Sequence, residues 1–223
     1  MVQQMTFDLP VKTARGRRDY FISQSNAMAV EILDDWPNWP NDKLVLVGEK
    51  ASGKTHLAQV WATDIGAQVL VASQLTEAEM PAFSQAPVVV EDVHEIAQNM
   101  PAQTALFHLH NMLQQNQIPL LLTAQSAPAR WQLSLPDLQS RMSATSITTL
   151  PAPDDALLAA VLQKLFSDRQ ITVKENIIEY LLKRMDRSFE AAKNLVGKLD
   201  KAALSNASPI SRKLAADVLD NQL

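Results

Sequence analysis

The 223-residue sequence contains no cysteine, which excludes both a disulfide framework and a thiolate metal site. No apolar run approaches the ~18 residues that a membrane span requires. The N-terminus also lacks the basic-then-apolar pattern of a secretory leader. A cytoplasmic protein with no membrane role is the expectation. Basic residues are in deficit, 20 against 24 acidic, for a formal charge of −4. That balance argues against a protein whose main task is gripping nucleic-acid backbone, although a local basic patch is compatible with it. There is no internal repeat and no low-complexity stretch. Glycine is scarce, at five residues, so where each one falls is informative. The length suits one large domain, or a main domain with a small second one.

Residues 1–20 combine a short apolar-polar alternation with the cluster Arg15, Arg17 and Arg18 and show no helical period; they read as a flexible tail. "SNAMAVEIL" from Ser25 predicts a capped helix, stopped in "DDWPNWPND" by Pro37 and Pro40. "KLVLV", Lys43 to Val47, is short, continuous and β-branched, as a strand buried on both faces should be. Helix "THLAQVWATDI", strands "AQVLVA" and "APVVVEDV", helix "AQTALFHLHNMLQQNQ" and strand "IPLLLTA" follow. "SATSITTL", Ser143 to Leu150, completes five strands. This alternation predicts an α/β fold, a parallel sheet sandwiched by helices, over residues 21–150. Beyond Pro151 and Pro153 only helical periods remain, such as Leu158, Val161, Leu162 and Leu165, or Ile177, Leu181, Leu182 and Met185. Residues 151–223 therefore read as a small all-α domain.

Two of the five glycines fall in "GEKASGKT", residues 48–55, which fits G-x-x-x-x-G-K-[ST] directly after a predicted strand and before a predicted helix. In that context Gly48, Glu49, Lys50, Ala51, Ser52, Gly53, Lys54, Thr55 and His56 form a nucleotide-binding stretch. Backbone amides at the helix N-terminus cradle phosphate, Lys54 reaches the β and γ phosphates, and the Thr55 hydroxyl holds Mg²⁺. "PVVVEDVH" supplies an acidic strand end, with Glu91 on the metal side and Asp92 orienting water. Glu91 is one methylene longer than the usual Asp, so weak intrinsic hydrolysis is expected. Thr123, at the end of "LLLTA", reads equally as a γ-phosphate or water sensor and as a satisfied hydroxyl at a strand end. His108 and His110 lie two apart on a helix and face different ways, so no shared metal follows. Trp36, Trp39, Trp61 and Trp131 read as packing residues.

Together, "GEKASGKTHLAQ", "VVVEDVHEI", "ALFHLHNMLQQNQIPLLLTA" and "LPDLQSRMS" resemble the DnaA/Hda family of AAA+ ATPases, on the side of its regulatory inactivators, Hda or HdaA. The resemblance implies an AAA+ P-loop sheet followed by a helical lid, with ADP or ATP and Mg as ligands. It implies that Arg141 is an arginine finger presented in trans to a neighbouring subunit's nucleotide. It implies that "QMTFDLP" docks on the DNA polymerase III sliding clamp (the β subunit) through Gln4, Met5, Phe7 and Leu9, and that the partner is the DnaA initiator. DNA would be met only indirectly, and a homo-oligomer is compatible. The chain ends after the lid, without the further DNA-binding domain of an initiator, so a regulator is expected. One departure stands out: in "KRMDRSFEAAKNLV", Glu190 occupies the family's lid sensor position, where an Arg touches phosphates. Arg187 or Lys193, three residues to either side, could substitute on a helix, and an acid here favours ADP over ATP. Two competing readings are a free-standing AAA+ ATPase or loader, and a DnaA-family adaptor that does not stimulate hydrolysis.

Overall fold

A computed structural model describes residues 21–83, 85–205 and 208–220. The chain enters helix α1 (Ala27–Asp34), turns through two short 3₁₀ segments at the Trp-Pro pairs, and runs into strand β1 (Lys43–Val47). The remaining elements of the sheet layer are α2 (Lys54–Ile65), β2 (Gln68–Val71), β3 (Val88–Glu91), α3 (Met100–Gln115), β4 (Leu120–Ala124), α4 (Pro136–Ser143) and β5 (Ser146–Thr149). The strands form one sheet in the order β2-β3-β4-β1-β5, with every pairing parallel. Strand β1 is thus paired on both sides, Val45 facing Leu122 of β4 and Ile147 of β5.

Because successive strand side chains point to opposite faces, the continuous apolar runs feed two cores. Val45, Val88, Val90, Leu120 and Leu122 pack with Leu106, Leu109 and Leu113 of α3 and with Leu138 and Met142 of α4. Leu44, Leu46, Val89 and Leu121 point the other way, against Leu33 of α1 and Leu57, Ala58 and Trp61 of α2. On that second face the rings of Trp39 and Trp61 stack 5.2 Å apart, and Trp39 Nε1–H donates to the Ile32 carbonyl at 2.7 Å. Each buried leucine of this kind contributes about 1.5–3 kcal/mol.

After β5 come α5 (Asp155–Ser167), α6 (Glu175–Leu182), α7 (Phe189–Ser205) and α8 (Arg212–Asp220), which share a third core around Phe166, Leu181, Val196 and Leu199. Asp154 caps α5 by accepting the Leu157 N–H at 2.8 Å. It also accepts the Ser25 N–H at 3.1 Å, while its own N–H donates to Ser25 Oγ at 3.3 Å. Ser25 is thus bonded to the first residue of the helical layer and does not cap α1. The residue ahead of α1 is Asn26, whose side chain accepts from the Ser23 N–H and donates to the Phe21 carbonyl.

The sequence placed a strand from Ser143; the structure ends α4 there and starts β5 at Ser146. Helix α4 forms because Pro136 at its start fixes a helical φ and holds Leu135 extended. The Ala144 N–H to Ser140, the Thr145 N–H to Met142 and the Thr145 hydroxyl to Arg141 carry the turn past Ser143. Among the described residues no helix is long and apolar enough to cross a membrane.

Candidate functional site

The loop between β1 and α2 is drawn tightly onto the end of the sheet. The Gly48 N–H donates to the Ala124 carbonyl at 3.1 Å, extending the β1–β4 ladder by one bond, and the Leu150 N–H donates to Val47 at 2.7 Å. A Cβ on Gly48 would lie 2.6 Å from both the Leu150 carbonyl oxygen and the Ser52 hydroxyl. Ala51 (φ 61°) and Gly53 (φ 98°) are both left-handed, which turns successive backbone amides inward. Ser52 Oγ is buried without a hydrogen-bond partner among the described residues. Lys54 is 7% exposed, and its ammonium donates to the Gly48 and Glu49 carbonyls, each at 2.8 Å. Burial lowers its pKa, opposed by the charges of Asp92 and then Glu91.

This loop forms one wall of a cavity of about 730 Å³. Lys50, Ala51, Gly53, Lys54, Thr55, His56 and Gln59 line that wall; Asp92, Glu95 and Gln125 close the sheet end; and Val161, Lys164, Leu165, Phe189, Glu190 and Lys193 face them from the helical layer. Of these, Gln59, Glu95, Gln125, Lys164 and Phe189 were not singled out by the sequence. The nearest signal was positional, because Gln125 follows directly on the β4 terminus.

Asp92 sits just beyond β3 in the left-handed region, at φ 57°, and its N–H donates to Thr123 Oγ1 at 3.1 Å. Thr123 is 1% exposed, so its hydroxyl holds the Asp92 backbone from behind the cavity wall. Glu91 ends β3 with Oε1 buried and without a hydrogen-bond partner among the described residues. Asp92, His94 and Glu95 bring one ligand atom each within 4.8 Å of one another, a grouping that spacing alone did not suggest.

In the helical layer, Glu190 faces the cavity. Of its two proposed substitutes, Arg187 pairs with Asp155, whereas Lys193 lies on the cavity wall. The Phe189 ring sits directly over Gly53, where an added Cβ would meet Cε2 at 2.5 Å.

Arg141 is elsewhere. It is exposed near the end of α4, with its guanidinium 5.3 Å from the centre of the Phe107 ring, and it lines a small pocket with Lys43, the first residue of β1. The phosphate loop follows the last residue of that strand, and at ~3.3 Å per residue the two ends are about 13 Å apart. One chain does not bring Arg141 to its own cavity. His110 is 3% exposed while His108 is exposed, so the pair does face apart. Gln4, Met5, Phe7 and Leu9 lie outside the described residues.

The donors present fit a polyphosphate and a hard cation. The loop has no room for a Cβ at Gly48, a buried hydroxyl without a partner stands at Ser52, and a lysine bends over the loop. The Thr55 hydroxyl and the carboxylates of Glu91 and Asp92 are oxygen donors of the kind Mg²⁺ takes.

No family model matches the chain. It is 26% identical over 167 residues to an uncharacterized protein of Haemophilus influenzae, covering 70% of this chain and 72% of that one. In structure it is similar to domain III of the Thermotoga maritima replication initiation protein DnaA, with a TM-score of 0.77 at 16% identity over 91% of this chain and 94% of that one. AMPPCP-bound DnaA from Aquifex aeolicus gives 0.70 at 16% identity, covering 89% and 68%. A RuvB mutant from Thermotoga maritima gives 0.67 at 19% identity, covering 91% and 71%. The five-stranded parallel sheet with its surrounding helices therefore has the fold of DnaA domain III.

Proposed function

We propose that this protein is a nucleotide-dependent regulator of DNA replication initiation. It binds ADP or ATP with Mg at the phosphate loop, docks on the sliding clamp through Gln4, Met5, Phe7 and Leu9, and stimulates ATP hydrolysis by DnaA through Arg141. The observation that carries this reading is the separation of Arg141 from the chain's own cavity. An exposed guanidinium at the opposite end of the strands is placed to meet a nucleotide's phosphoryl group when a second chain supplies one, head to tail. A finger supplied in this way is worth ~10³ to 10⁵ in rate. The AAA+ fold shared with DnaA supports such a pairing.

Within its own site the chain's residues bind and orient. Backbone amides of residues 48–54 and the Lys54 ammonium hold phosphate oxygens, and Thr55 with Asp92 or Glu91 would hold Mg²⁺, which supplies charge neutralisation when bound. Thr123 fixes Asp92. Glu190 on the cavity wall opposes a γ-phosphate and favours ADP, with Lys193 offsetting part of that charge. A second reading, an ATPase in its own right, draws support from the Asp92 carboxylate in the same cavity as Thr55.

Single-turnover hydrolysis of ATP on DnaA, with clamp loaded on DNA, tests the proposal. Wild-type protein should accelerate it and the Arg141→Ala variant should not. Stimulation that survives in the variant would leave an adaptor without a finger, and steady ATP turnover by the purified chain alone would favour the ATPase.

A further inference from the structure

At the end of the strands away from the phosphate loop, Lys43, His110, Gln114 and Arg141 line a pocket of about 150 Å³. Lys43 is only 3% exposed. Its ammonium has three donors, yet the one hydrogen bond it makes among the described residues is to the neutral Gln114 Oε1, at 3.1 Å. Buried cations are normally paired with an acid or hydrogen-bonded on every donor. Here no carboxylate lines the pocket, and the charged neighbour on its wall, Arg141, has the same sign. Burial and then Arg141 push Lys43 down to about 8, with Asp42, its neighbour in the chain, opposing them. Burial and the charges of Lys43 and Arg141 bring His110 down to about 4 against its Nδ1 hydrogen bond to Asn111 Oδ1 at 3.4 Å, which leaves the ring neutral beside them. The fold thus gathers positive charge and unfilled ammonium donors around a small space whose walls carry no carboxylate. That space is of a size for a tetrahedral oxyanion and too small for a nucleoside.

We propose that this pocket is a second phosphate site, in which Lys43 and Arg141 together hold a phosphoryl group, the terminal phosphate of a nucleotide bound by a neighbouring subunit. The identity of that donor rests on the trans reading of Arg141 given above; the phosphate site itself does not. Lys43 then acts as a positioning cation behind the finger, and phosphate supplies the charge that the buried ammonium lacks.

The test is the thermal midpoint of the intact protein in inorganic phosphate, against chloride and acetate at matched ionic strength, for wild type, Lys43→Met, Arg141→Gln and Lys54→Met. Phosphate should raise the midpoint of the wild type, and Lys54→Met should keep a phosphate-dependent rise. Lys43→Met and Arg141→Gln should each weaken the apparent phosphate affinity by at least about tenfold. Lys43→Met removes a buried cation and should fold at least as well in chloride, while Arg141→Gln, at an exposed position, provides the same readout without touching the core. A rise lost in Lys54→Met but kept in the other two variants would assign all phosphate binding to the loop and overturn the proposal. An equal rise in acetate would overturn the phosphoryl assignment. Phosphate binding as expected, together with undiminished stimulation of DnaA by Arg141→Ala, would keep the site and remove its link to a neighbour's nucleotide.

Discussion

Replacing Gly53 with Ala should be costly for two separable reasons. The first is local: φ of 98° lies beyond the left-handed well that L-residues enter at all, at ~1–3 kcal/mol. The second crosses between layers, because the new methyl would stand 2.5 Å from Phe189 Cε2 and 3.1 Å from Cδ2, where carbon contacts normally settle near 3.5–4.0 Å. The ring must retreat by about 1 Å, which takes it off its rotamer at ~0.5–1.5 kcal/mol or tilts α7 away from the loop. Gly53→Ala should therefore destabilise by about 2–4 kcal/mol in wild type. In a Phe189→Ala background only the backbone part should remain, giving a coupling of roughly 1 kcal/mol between the two sites. Urea unfolding followed by tryptophan fluorescence reads all four corners of the cycle. Equal costs of Gly53→Ala in both backgrounds would mean that Phe189 does not rest on the phosphate loop in solution, and the lid contact described above would be wrong.

Two further outcomes are expected. His110 stays neutral in the folded chain down to about pH 4, whereas an unfolded chain protonates it near 6.5, so stability should fall as pH drops through that window, by on the order of 3 kcal/mol in total. Subtracting the pH–stability curve of His110→Gln isolates this slope, and two parallel curves would refute it. Asp154→Ala removes the cap of α5 and the acceptor for Ser25 and should cost about 1–2 kcal/mol in urea unfolding; a loss within a few tenths would show that water replaces these bonds.

The loop between β1 and α2 was legible because its residues are contiguous: two glycines, a lysine and a threonine fall within eight residues of chain. The strands were legible because parallel strands buried on both faces must be continuous and apolar. Helix α4 was not, since Pro136, Asp137, Gln139 and Ser140 leave only Leu138 and Met142 to mark its buried face. Gln125, Glu95 and Phe189 reach the cavity through packing between distant elements, and no local pattern records that. The choice between Arg187 and Lys193 likewise depends on Asp155, which claims the arginine from another helix. Lys43 read as an ordinary strand residue until the structure placed Arg141 and His110 beside it.

The paired hydrogen bonds between Ser25 and Asp154 join residues 129 positions apart at the start of the helical layer. They make that junction a mechanical node. A pull applied at Phe21 would pass through Ser23, Ser25 and Asn26 and load Asp154, the cap of α5, along with the sheet. Where the chain is pulled at its start and how firmly the helical layer is seated on the sheet then become one mechanical question.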